Sequence, residues 1–153
     1  MDVLKKIKTN HEDAVVPSCA EERQKKLKVK MTGLKDYVIL KGELLSQGEF
    51  KVCDCLIVIQ EGKSIKVALV ERKTSRPRIG SDEEAKYRNA YRLIEEALPG
   101  YGINNLQDIA IKFVLYYEKN LKPTGLRTFE NKRIEGKKIV RKKYNELLKT
   151  VFD

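Results

Sequence analysis

Asp54, Glu71 and Lys73 are the residues of this chain whose types and spacing could do chemistry together. They lie in Phe50–Ser75, FKVCDCLIVIQEGKSIKVALVERKTS, where two runs rich in β-branched residues flank a Glu61-Gly62-Lys63-Ser64 corner. Strand formers bounded by a glycine turn are the signal for a β-hairpin, here Lys51–Ile59 against Ser64–Thr74. A two-residue turn at Gly62-Lys63 sets Asp54 opposite Glu71 and Val52 opposite Lys73. Facing residues have Cβ atoms ~5 Å apart, and alternation puts Glu71 and Lys73 on one face. Two carboxylates and a lysine therefore meet.

Like charges facing each other destabilise a sheet, so an acid pair in an apolar hairpin calls for a cation between the two. Mg²⁺ suits such a pair, because it takes few carboxylates and keeps water and substrate phosphates as its other ligands. The plainer possibility is an acid pair at a strand end, neutralised by Lys73 and nearby basic residues. For an Asp…Glu-x-Lys pattern alone that possibility is favoured.

The hairpin faces are both apolar: Val52, Leu56 and Val58 with Ile65, Val67 and Leu69 accompany the acids. Cys53, Cys55, Ile57 and Ile59 with Ala68 and Val70 form the other side. Such a sheet is covered on both faces. Upstream, residues 1–16 read as polar and loosely attached, with at most a turn around Leu4–Lys8. Ser18–Lys30 reads as a helix with Ser18 as N-cap and Glu21 and Glu22 in its first turn. Asp36–Leu45 reads as a strand ended by a hairpin turn at Ser46-Gln47-Gly48-Glu49.

Downstream, Ser75–Gly80 is a basic loop holding Arg76 and Arg78. Ser81 followed by Glu84 forms a capping box for a helix over Asp82–Leu98, whose apolar stripe runs from Ala85 to Leu98. Asp108–Tyr117 is a strong strand. From residue 119 the composition turns basic. Thr124–Gly136 is irregular or a small hairpin, and Arg141–Val151 reads as a helix with Tyr144, Leu147, Leu148 and Val151 inward.

The 153 residues are expected to form one domain, with a core over about 18–118 and a basic C-terminal extension over 119–153. A formal net charge of +10 favours a polyanionic partner, nucleic acid or an anionic surface. No apolar run approaches a ~20-residue membrane span. No apolar h-region follows the N-terminal lysines. Three cysteines without repeated spacing argue against a disulfide framework and for a reducing, cytoplasmic setting.

With Asp54 on the second strand, Glu71-Arg72-Lys73 closing the third, and a helix–strand–strand–strand–helix–strand order, the chain resembles the PD-(D/E)XK nuclease superfamily over about Ser18–Tyr117. The resemblance implies an α/β fold with a restriction-endonuclease-like αβββαβ core, a mixed central sheet flanked by helices. It also implies Mg²⁺- or Mn²⁺-dependent hydrolysis of DNA phosphodiester bonds. Asp54, Glu71 and the backbone carbonyl of Arg72 would hold the ion, and Lys73 would orient the attacking water. The first-helix acid of many members would be Glu22, with Glu21 as alternate and Glu43 and Glu49 as competitors. Lys86 stands where members carry a further polar residue on the helix after the third strand, though it also suits the surface. The proline that commonly precedes the aspartate is replaced by Cys53.

Arg76, Arg78, Lys86, Lys132, Arg133, Lys137, Lys138, Arg141, Lys142 and Lys143 are candidate phosphate contacts, which give affinity without sequence choice. Small basic members include archaeal Holliday junction resolvases, whose homodimers cut branched DNA. That implies a homodimer acting on duplex or branched DNA. The alternative is a nuclease-like fold that binds nucleic acid without cutting it. A zinc site from His11, Cys19, Cys53 and Cys55 matches no established spacing. There is no glycine-rich phosphate loop.

Overall fold

The computed structural model describes residues 2–20, 28–73, 80–105, 109–118 and 132–153. In chain order the elements are α1 (Val3–Asn10), β1 (Val15–Val16), β2 (Tyr37–Lys41), α2 (Gly42–Ser46), β3 (Cys55–Glu61) and β4 (Ser64–Lys73). They continue as α3 (Ser81–Ala97), β5 (Ile109–Tyr117), β6 (Arg133–Ile134) and β7 (Lys137–Lys143). The strands form one seven-stranded mixed sheet in the order β1-β2-β3-β4-β5-β7-β6. The first four pair antiparallel, β4, β5 and β7 run parallel, and β6 returns antiparallel along β7. The protein is thus mixed α/β, its sheet flanked by helices.

The expected hairpin register is observed, from Glu61↔Ser64 to Cys55↔Val70, so one further step brings Asp54 beside Glu71. Gly62 has φ 61°, and a positive φ at the first central position is what a type II′ turn requires. Because β3 and β4 are apolar on both sides, each face carries its own core. Leu56, Val58, Val67 and Leu69 pack under α1 and α3 with Leu4, Ile7, Tyr87, Ala90 and Ile94. Ile57, Ile59, Ala68 and Val70 pack against Cys19, Val29, Tyr144, Leu148 and Val151.

Several expectations are corrected. Residues 1–16 are not loose: α1 buries Leu4 and Ile7, Asp2 caps it through Leu4 N–H, and a His11 ring nitrogen hydrogen-bonds the Tyr101 hydroxyl. The helix over Ser18–Lys30 is absent from its described part, where Ala20 bridges Lys28 antiparallel and Val29 N–H donates to Cys19 O at 2.9 Å. Burying Cys19 and Val29 side by side overrides the helix propensity of a lysine-rich run. After β2 comes the short helix α2 rather than a hairpin, ending at Gln47 with φ 55°.

The C-terminal helix is also overturned. Its first residues belong to β7, and only a 3-10 turn, Leu148–Phe152, follows. Positive φ at Glu135 (51°) and Gly136 (74°) folds β6 back onto β7, the pattern of a type I′ hairpin. The helix over 82–98 is present as α3. Its cap falls one residue early, at Gly80, whose N–H donates to the Glu83 carboxylate at 3.1 Å.

Cys19 and Cys55 are joined by a disulfide, against the all-thiol expectation, and Cys53 stays free and buried. Cys53 and Cys55 do not share a face either: a bend at Asp54 turns Cys53 into the α3-side core and leaves Cys55 in the other. Among the described residues, no helix is long and apolar enough to cross a membrane.

Candidate active site

Alternation along β4 puts Glu71 and Lys73 on the side covered by α3. Asp54 enters from the bend before β3, and three contacts fix that bend. Gly42 N–H donates to Asp54 O at 2.9 Å, Asn89 Nδ2 donates to Lys51 O at 2.7 Å, and Lys51 pairs with Asp82 at 2.9 Å. Gly42 is at the start of α2 for a steric reason. A Cβ there would lie 1.9 Å from the Cys53 carbonyl oxygen.

The carboxylates are held by backbone. Asp54 N–H donates to Glu71 Oε1 at 3.2 Å, and Arg72 N–H donates to Asp54 Oδ2 at 2.7 Å, with Arg72 Nε at 3.7 Å from the same oxygen. Glu71 is 1% exposed, while the Asp54 side chain is 33% exposed. The Lys86 ammonium donates to Glu71 Oε2 at 2.9 Å. Lys73 lies 4.0 Å from that oxygen but pairs more closely with Glu83, at 2.9 Å. Two acids thus face each other with two lysines at one side.

The electrostatics follow from burial. Desolvation first, and the Asp54 carboxylate second, push Glu71 up to about 7 from an ordinary 4.5, against the pull of Lys86. Lys86 is raised: burial lowers it, but its hydrogen bond to Glu71 and the charges of Glu71, Asp54 and Glu83 outweigh that. Glu83 is lowered, because its bonds to Lys73 and to backbone N–H outweigh its partial burial. Burial and the same two acids raise the Cys53 thiol well above its usual range, which makes it a poor nucleophile.

The donor set suits a hard divalent cation. Once the backbone N–H groups have taken Glu71 Oε1 and Asp54 Oδ2, Asp54 Oδ1 and Glu71 Oε2 are left to face a cation, and Lys86 occupies that role at Glu71. Arg72 N–H points to the β3 edge, and in an extended strand the carbonyl of the same residue points the same way, toward Asp54. Among the described residues, no group of three or more His, Cys, Asp or Glu gathers as metal ligands. Cys19 and Cys55, two of the cysteines weighed for zinc, are bonded to each other.

The basic candidates divide. Lys86 is in the site rather than on an open surface. Lys132 pairs with Glu84 of α3 at 2.7 Å, and Lys142 lies 3.7 Å from Glu146. Arg133 and Lys138 are register partners on the β6–β7 edge; Lys137, Arg141 and Lys143 lie along β7. Glu22, Arg76 and Arg78 fall outside the described residues, as do Glu21 and most of the basic loop. Glu83 and Gly42 were not anticipated.

The fold and site together define a mixed α/β protein with a half-buried acid pair, flanked by lysines, at the carboxyl ends of parallel strands. That is where open α/β sheets bind ligands. No family model, curated protein or solved structure matches the chain.

Proposed function

We propose that this chain is a metal-dependent DNA endonuclease of the PD-(D/E)XK kind, with Asp54, Glu71 and the Arg72 carbonyl as the ligands of Mg²⁺ or Mn²⁺. The carrying observation is the Asp54–Glu71 pair, its Glu71 buried and its Asp54 partly exposed, with Lys73 and Lys86 beside it. With the two-residue β1 and the short α2 set aside, the order α1, β2, β3, β4, α3, β5 and the mixed sheet support a restriction-endonuclease-like αβββαβ core. In that scheme α1 takes the place of the expected first helix, and α1 contains no acid, so Glu22 has no counterpart there.

A bound Mg²⁺ supplies charge stabilisation at the scissile phosphate and a more acidic water. Backbone N–H groups hold the two carboxylates in orientation before substrate arrives. Lys86 and Lys73 bring positive charge to where a phosphoryl oxygen would gain negative charge. Lys73, exchanging Glu83 for the attacking water, would orient that water.

The rival is a non-catalytic nucleic-acid-binding protein in which the Lys73–Glu83 and Lys86–Glu71 pairs are structural. Plasmid and four-way-junction DNA incubated with Mg²⁺, Mn²⁺ or EDTA separates the two. Cleavage is expected with metal, absent in EDTA, and reduced at least ~10²-fold in Glu71→Ala and Asp54→Ala. Tight binding with no cleavage by the wild type, or full cleavage by Glu71→Ala, would overturn the assignment.

A further inference from the structure

Alternation along β7 sorts the C-terminal basic residues onto two faces. Ile139 packs in the α3-side core beside its register partner Phe113, whereas Val140 packs in or against the opposite core beside Val114. Arg141 and Lys143 follow Ile139 at period two and stand on the α3 side; Lys138 and Lys142 stand on the other. Arg133 goes with Lys138 through their register pairing, because its neighbour Ile134 is in the α3-side core.

Register partners in adjacent strands share a face, so two rows cross the carboxyl ends of the parallel strands. One is Glu71–Leu115–Arg141 and the other Lys73–Tyr117–Lys143. At ~4.8 Å per strand, β7 is about 10 Å from β4, a gap a nucleic-acid strand covers within a few nucleotide steps. Leu115 and Tyr117, which lie between, are buried. Both rows therefore end in a cation at β7, while their β4 ends hold Lys73 and the Glu71 of the acid pair.

We infer that Arg141 and Lys143 form a second phosphate subsite for the same polyanionic strand. It would hold a phosphate a few steps from the one placed at Asp54 and Glu71. The substrate is then a nucleic-acid chain extending across β5 toward β7, rather than a mononucleotide. Lys138, Lys142 and Arg133 belong to the opposite face and contribute only general positive charge. This subsite rests on the nuclease assignment for its first phosphate, and on strand register for its second.

The test is fluorescence anisotropy of a labelled single-stranded oligonucleotide of roughly 12 nucleotides, measured in EDTA over a range of salt. Arg141→Ala/Lys143→Ala and Lys138→Ala/Lys142→Ala remove the same charge from opposite faces. The first is expected to weaken binding at least ~10-fold and to flatten the salt slope by roughly one to two. The second should cost less than ~3-fold, which is the loss expected from net charge alone. Arg141→Lys/Lys143→Arg should rescue the first, and Arg141→Gln/Lys143→Gln replaces it should the alanine pair not fold. Equal losses in the two alanine pairs, or no loss in the first, overturn the subsite even where the wild type cuts DNA. Selective loss in the first, in a wild type that cuts nothing, overturns the nuclease assignment and leaves the subsite standing.

Discussion

A carboxylate that is 1% exposed and faces a second carboxylate is ionised at a cost. Glu71 binds its proton up to about 7 in the folded protein, against an ordinary 4.5. Between those values the folded state holds more protons than the unfolded chain, so stability falls as pH rises through this window and levels off above it. The rise corresponds to ~3 kcal/mol at most. Glu71→Gln should flatten the dependence and melt higher than the wild type above pH 7. Losing the ion pair with Lys86 offsets part of that gain. Thermal melts of both proteins from pH 4 to 9 check this, and parallel curves would show that Glu71 is not the titrating group. The acid pair was legible in the sequence because antiparallel register is arithmetic once Gly62 fixes the turn. Glu83 was not, because nothing local tells a capping glutamate from one that also holds Lys73.

Elements were legible where one residue pattern had one structural solution. β3, β4, β5 and α3 have long apolar runs or a one-sided stripe, and each is found within a few residues of its expected bounds. The lysine-rich segments were not legible, since lysine suits a helix surface and a strand edge alike. Burial of Cys19 and Val29 decided one such segment, and pairing of Ile139–Lys143 with β5 decided the other. Neither partner is near in sequence. The short helix α2 was hidden for a related reason: its purpose is to seat the 50–54 bend. With a Cβ on Gly42 falling 1.9 Å from Cys53 O, Gly42→Ala must push the Cys53–Asp54 peptide away and break the bond from Gly42 N–H to Asp54 O. The expected cost is ~1–3 kcal/mol, as for overpacking, with a loss of metal-dependent cleavage out of proportion to it. Leu44→Ala, on the exposed side of α2, is the control. Denaturant melts and cleavage rates on both variants measure the effect. Equal behaviour of the two would mean that α2 does not position Asp54.

At the scale of the molecule, a net charge of +10 attracts any anion, so a metal effect has to be separated from an ionic-strength effect. Glu71 provides the separation. A divalent cation between Asp54 and Glu71 must displace the Glu71 proton and the Lys86 ammonium, and ligands bind metal in their deprotonated form. Below about 7 each pH unit therefore costs roughly tenfold in affinity; above it the affinity levels off. Binding to the folded state alone stabilises it by mass action, ~2.7 kcal/mol at a hundredfold excess over Kd. MgCl₂ should accordingly raise the melting temperature more at pH 8 than at pH 6, beyond what NaCl of equal ionic strength does. Glu71→Gln should remove the difference at both values. Lys86→Ala takes away the competing cation but also the charge that holds Glu71 down, so the rise in its Mg²⁺ response should move to higher pH than in the wild type. An equal response at both pH values, or one that survives in Glu71→Gln, would place the ion elsewhere on the molecule and leave the acid pair to Lys86 as a structural bridge.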